Sequence, residues 1–189
     1  MTDFWDAAKV ELRKKLDPKH VMPAPQGKYG SYIMGWHAIA EANRIFGEDG
    51  WSYSLDSIQL TNASLVDGKH HIGYMAQVTV SVGDTRRGDI GHGQGHGRSE
   101  GDAHDSAVKE AVTDALKRAL RTYGNPFGLA LYDKSQSNVG LDVPQEVLDA
   151  LAGAETPDSL KTVWTANKKW QSHPEFLAAK NRRKAELMN

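Results

Sequence analysis

The chain has 189 residues, 23 Lys+Arg against 24 Asp+Glu, a formal net charge of -1 and no cysteine. Disulfides, zinc–thiolate sites and cysteine nucleophiles are therefore excluded, and any affinity for a polyanion must come from locally concentrated cations. No run approaches the roughly 20 apolar residues that span a bilayer, and "MTDFWDAAKVELRKKL" lacks a leader's apolar core and cleavage site; the expectation is a soluble cytoplasmic protein with no membrane partner.

In chain order, Phe4, Ala7, Ala8, Val10, Leu12 and Leu16 predict a first helix closed by Asp17-Pro18. "KHVMPAPQGKYG" reads as a loop, because its prolines and glycines disfavour regular structure. "SYIMGWHAIAEANRIFGEDGW" predicts an extended entry at Ser31 to Met34 and a helix from about Trp36 to Phe46. Ile39, Ala42, Asn43 and Phe46 face one side of it, and Gly47 ends it. "WSYSLDSIQL" then alternates from Trp51, and "HHIGYMAQVTVSV" alternates through Ile72, Tyr74, Ala76, Val78 and Val80. "RRGDIGHGQG" is weaker but extended. "VDGK" and "VGDT" carry hairpin-turn pairs. Trp51 to about Gly95 is thus an antiparallel meander with Trp51, Tyr53 and Tyr74 inward. Few charges guard "HHIGYMAQVTVSV" as an edge, which invites pairing or must be protected. A long helix follows from about Asp102 to Tyr123. Beyond residue 140 come short helices with Pro157 and Pro174 at their starts. The fold class is α+β: a β-β-β-α core with an N-terminal helix and a small helical tail, divided as 1–140 and 141–189.

The long helix carries the chemistry. Val108, Ala111, Val112, Ala115, Leu116, Ala119, Leu120 and Tyr123 form one apolar face. Lys117, Arg118 and Arg121 cluster off that face, with Lys109 two turns upstream and Asp114 placed to hold one of the cations. Lys69, Arg86, Arg87, Arg98 and Lys134 at the edges of the meander extend this into a basic stripe. A competing site is "GDIGHGQGHGRSEGDAHD", where His92, His96 and His104 accompany Asp102 and Asp105. Its glycines make the segment extended or mobile, and two imidazoles are a weak ligand set, so exposed histidines without a metal are the favoured reading. No phosphate loop and no acidic metal cluster occurs, so neither ATP, a cofactor nor nuclease chemistry is expected.

"KEAVTDALKRALRTYGNPFGLALYDK", Lys109 to Lys134, resembles the signature of the Rad-fifty-two family of single-strand annealing proteins in homologous recombination. "SYIMGWHAIAEANRIFGEDGWS" is similar to the family's upstream Tyr-Ile-x-Gly, Ala-Asn, Phe-Gly and Gly-Trp series, and the resemblance runs over roughly residues 8 to 138. It implies a β-β-β-α core, subunits closed side by side into a ring, and an outer groove that holds one DNA strand by its backbone with the bases outward. It also implies a protein that is not an enzyme. By matching positions, Lys117 and Arg118 line the groove floor, with Lys109, Glu110 and Arg121 in support and Tyr32 nearby. Lys69 and Lys134 match a second, outer DNA site, and Arg98 stands where another of its cations occurs. A family arginine falls on Met22, for which Lys28 is the substitute. Residues 141–189 resemble the compact tails of phage or bacterial annealing proteins, implying a bacterial or phage-infected cell. The resemblance thus implies ATP-independent annealing by a large homo-oligomer, as a ring or helical array. Its partners would be single-stranded DNA, the complementary strand, further copies and, through the tail, a host or phage replication or recombination protein. The alternatives are a non-annealing single-strand binding protein and a metal hydrolase built on His92, His96 and Asp102.

Overall fold

Residues 2–24 and 29–188 are described by the structure, a computed structural model. Helix α1 (Thr2–Arg13) buries Ala8 and Leu12, while Val10 is exposed. Asp17 then caps a 3-10 turn, accepting from the Lys19 N–H. The expected loop contains a strand: β1 (Val21–Pro23) pairs antiparallel with β2 (Ser31–Ile33), Met22 opposite Tyr32. Pro23 is tolerated because it is the last residue of a short two-stranded ribbon. Helix α2 (Gly35–Phe46) buries His37, Ala38, Ala42, Ile45 and Phe46. Its inner face is rotated from the expected one, so Ile39 is exposed and Asn43 instead accepts a 2.7 Å hydrogen bond from the Trp51 indole.

Strands β3 (Trp51–Val66), β4 (Lys69–Val82) and β5 (Thr85–Gly97) form the antiparallel meander in that order. Asp67 and Gly68 join the first pair with φ of 51° and 70°, the left-handed conformations that a two-residue hairpin of matching twist requires. Helix α3 (Glu100–Arg121), capped by Ser99, lies across β4 and β5. Ile72, Ala76, Val78, Val80 and Val82 face it from β4, all essentially buried.

The glycine-rich end of β5 is a packing surface, and the expected mobility is corrected accordingly. Gly91, Gly93 and Gly95 sit directly under Ala103, Ala107, Ala111 and Ala115. A Cβ on Gly93 would stand 2.1 Å from the Ala107 carbonyl oxygen, and one on Gly95 would stand 1.8 Å from that of Ala103. Helix backbone and strand backbone are therefore in contact.

The central strand is β4, so the bare edge expected there belongs to β3. Every residue of β3 after Trp51 is exposed, because α3 lies over the other two strands. Tyr53, expected inward, is 50% exposed; Leu55, Ile58 and Leu60 share its exposure. Beyond α3, Phe127 stacks on Phe46 with ring centres 5.8 Å apart, and Asn125 Nδ2 donates to the Arg13 carbonyl.

Contacts divide the chain into two compact units, Met1–Gly140 and Leu141–Asn189. The second comprises α4 (Gln145–Ala152), α5 (Pro157–Ala166) and α6 (Pro174–Leu187) around Leu151, Leu160, Trp170 and Phe176. Thr156 and Ser159 form a capping box at the start of α5.

Candidate nucleic-acid interface

The flank of α3 beside β5 has two classes of side chain with separate roles. Its acids serve the strand. The outer N–H groups of His92 and Gln94 donate to Asp114 Oδ2 at 3.3 Å and Glu110 Oε2 at 2.8 Å, while that of Ile90 donates to Asp89. These carboxylates close the β5 edge, which would otherwise present a row of unpaired donors. Its cations remain for something else.

Asp89, not Asp114, holds the arginines. Its two oxygens lie 3.2 Å from Arg118 Nε and 3.4 Å from Arg121 Nη2. Partial burial opposes the Arg118 charge, but Asp89 outweighs it and raises the pKa, so the guanidinium stays charged. Arg121 also donates to the Tyr132 hydroxyl, and its guanidinium stands 4.1 Å from that ring's centre. Asp89 and Tyr132 thus hold positions in the site that are absent from the sequence-based expectation. Period-two alternation, which places Asp89 on the helix side with Arg87 and Gly91, is the signal that could have found the first.

Lys117 Nζ lies 5.5 Å from the centre of the Tyr32 ring. The Tyr-Ile-x-Gly motif accounts for this meeting. A Cβ on Gly35 would be 2.6 Å from Thr113 Cγ2, so glycine lets the start of α2 press against α3 and brings β2 alongside. Tyr32, Lys117, Arg118, Arg121 and Tyr132 line a groove of about 90 Å³. An adjoining opening of about 550 Å³ is lined by Lys109, Glu110, Thr113 and His92; both share Asp114 and Lys117, making one continuous track. Lys109 is held loosely, through an exposed 2.6 Å pair with Asp105 one turn back. Lys28 lies outside the described residues.

The remaining cations are dispersed. Lys69 opens β4 and Arg98 follows β5; because His70 pairs with Gly97, the two sit at the same end of the sheet. Lys134 belongs to the other end. Arg98 precedes the first turn of α3 and Tyr132 touches its last, and a 22-residue helix is about 33 Å long. The turn that carries Lys134 is pinned by Asp133, which accepts from Ser135 and Ser137. These bonds, the Ser135 hydroxyl foremost, bring its pKa down to about 2. Arg87 serves the fold rather than the stripe: it donates to the Thr122 carbonyl at the end of α3 and lies 4.5 Å over Tyr123.

The histidines do not converge with Asp102. His96 Nδ1 is 2.9 Å from His71 Nδ1, and His104 Nδ1 is 3.0 Å from the Tyr74 hydroxyl. Among the described residues, no group of three or more His, Cys, Asp or Glu side chains is placed to hold a metal ion. Among the same residues, no helix is long and apolar enough to cross a membrane.

Residues 6–146 match the family described as Rad52/22 family double-strand break repair protein. The DNA repair and recombination protein RAD52 of Kluyveromyces lactis is 43% identical over 135 residues, covering 68% of this chain and 30% of its own length. RAD52 of Candida glabrata is 44% identical over 135 residues, 68% of this chain and 26% of its own. The DNA repair and recombination protein rad22 of Schizosaccharomyces pombe is 40% identical over 129 residues, 65% of this chain and 28% of its own. The chain thus spans less than a third of the length of these relatives. All three are fungal, and they lend no support to a bacterial or phage type.

Proposed function

The chain belongs to the Rad52/22 family of double-strand break repair proteins, and from that premise we propose that it binds single-stranded DNA along the α3 flank and anneals complementary strands. The protein acts by position, without ATP, metal or catalysis. The observation that carries this reading is the continuous track in which Lys117, Arg118 and Arg121 stand on one helix beside Tyr32 and Tyr132. Cations spaced on a helix suit a backbone of regularly spaced phosphates, and contacts to phosphate leave base edges free for a second strand. A stacking platform is less well supported, because Tyr32 and Tyr132 are engaged by Lys117 and Arg121.

Annealing also needs a place for the second strand and a way to join protomers. Lys69 and Arg98 at one end of the sheet and Lys134 at the other guide the second strand, a spacing that suits a path rather than a pocket. A second copy of the chain covers β3, which has 16 residues, the single charge Asp56 and an uncovered apolar row. Contact between unlike surfaces closes into a ring or extends into a helix, and it joins the tracks of successive protomers so that weak contacts add.

The test is strand annealing followed by energy transfer between labelled complementary oligonucleotides, with single-strand affinity measured across salt concentrations. The Lys117→Ala/Arg118→Ala variant should lose both activities, while its salt slope falls by about 0.7 per phosphate contact removed and its stability changes by less than about 1 kcal/mol. Replacing Lys69, Arg98 and Lys134 together should spare single-strand affinity and slow annealing. An unchanged affinity and slope in the first variant would refute the assignment of the track.

A further inference from the structure

The helical unit 141–189 contains a groove of about 400 Å³ between α5 and α6, lined by Pro157, Leu160, Trp164, Leu187 and Met188 and by Lys161, Lys180 and Lys184. Among the described residues, no acidic residue lines it and none of these three lysines forms an ion pair. The neighbouring cavity differs in kind: there Arg182 and Arg183 are mixed with Asp149, Glu175 and Glu186. An apolar floor under a rim of one sign is chemically selective. The floor takes an aliphatic or aromatic side chain, and the rim takes carboxylates.

We propose that this groove is a docking site for a short acidic peptide segment that presents a bulky apolar side chain. Charge complementarity names the occupant. Three lysines around one apolar opening repel a basic partner and leave an uncharged one with nothing to answer the rim. A nucleic acid satisfies the lysines but not the floor. Phe176 stacks on Trp164 with ring centres 5.1 Å apart and planes at 3°, and the Lys180 ammonium lies 5.0 Å from the same ring, so the indole surface is already engaged from α6. What the groove offers is mainly aliphatic: Leu160, Leu187, Met188 and Pro157. Its small extent suits one or two anchoring side chains rather than the long apolar face of a docked helix. Docking here is independent of annealing, since none of these residues belongs to the α3 track.

The test uses the full chain and fluorescence anisotropy of a labelled peptide of Asp and Glu residues ending in Leu-Phe. A second peptide, with Leu-Phe replaced by Gly-Ser, is the comparison. The first should bind at least roughly tenfold more tightly than the second, and added salt should weaken it. Lys180→Glu/Lys184→Glu should weaken the first peptide by roughly tenfold or more. Met188→Asp should do likewise from an exposed position at the groove mouth, so the test stands even where the double variant folds poorly. Arg182→Glu/Arg183→Glu makes the same change of charge outside the groove and should leave binding intact. Equal binding of the two peptides would overturn the proposal, as would undiminished binding by the lysine and Met188 variants. Displacement of the peptide by oligo-dT, with parallel loss of DNA affinity in the lysine variants, would make the groove a nucleic-acid surface instead.

Discussion

His37 is a polar residue buried in the core of the first unit, at 4% exposure, stacked on His20 with ring centres 3.9 Å apart. Burial lowers its pKa below 6.5, and the neighbouring His20 charge adds to the effect; hydrogen bonding to the Pro126 backbone opposes it. Its Nε2 has no hydrogen-bond partner among the described residues. The folded state therefore favours the neutral ring. Between the lowered value and the unfolded one near 6.5, the unfolded chain binds more protons, so stability falls as pH drops through that interval. Denaturation midpoints at pH 7.5 and 5.5 should show this loss, and His37→Gln should reduce it. An identical loss in the variant would assign the acid sensitivity elsewhere. Through the same contact to the Pro126 backbone, the break after α3 is tied to α2.

At the scale of elements, the seam between α3 and β5 depends on what its residues lack. Gly93→Ala would drive a methyl to 2.1 Å from the Ala107 oxygen and 2.3 Å from the Ala111 nitrogen. We expect a loss of about 2 kcal/mol or more, read as a lowered urea midpoint, because backbone cannot step aside as a flexible side chain can. Gly101→Ala, in open space within the first turn of α3, should be neutral or stabilise by up to about 1 kcal/mol. This contrast also explains which parts of the fold were legible in the sequence. The stripe from Ala111 to Leu120 and the alternation of β4 announce themselves through apolar side chains, and Lys117 and Arg118 stand out by falling off the stripe. The glycines of β5 carry no apolar signal, so a close-packed strand reads as a loose one. Tyr53 alternates like a core residue, yet its burial depends on where α3 lies across the sheet, which local periodicity does not encode. Asp89 is hidden for a related reason: its partners are 29 and 32 residues away.

For the whole molecule, the two edges of the meander are unequal. Carboxylates from α3 and Asp89 close β5, while β3 is bare over its length. In the proposed assembly, growth through such a surface would have a direction, with the apolar row of one copy meeting a different face of the next. Leu55→Glu/Leu60→Glu places charge on that row without touching the core or the track. Light scattering at micromolar concentration should then report a smaller particle, and affinity for long single strands should fall because neighbouring tracks are no longer joined. A particle of unchanged size would locate the contact elsewhere.

The glycine–alanine seam has one more consequence, in conformational entropy. Glycine and alanine lose no rotamer freedom on burial, so the seam itself immobilises no long side chain; those that cross from α3 to β5, such as Glu110, Arg118 and Arg121, do so at its flank. The helix cannot tilt toward the strand, because backbone already meets backbone. The spacing of the helix positions that carry Lys109, Lys117 and Arg121 is therefore set before any ligand arrives, although the Lys109 ammonium itself stays loosely held. In the proposed function, a strand that binds would find the helix backbone already in place, so the ordering cost would fall on the nucleic acid and on exposed side chains such as Lys109. Helix α3 would serve as a ruler whose divisions do not change with what is laid against it.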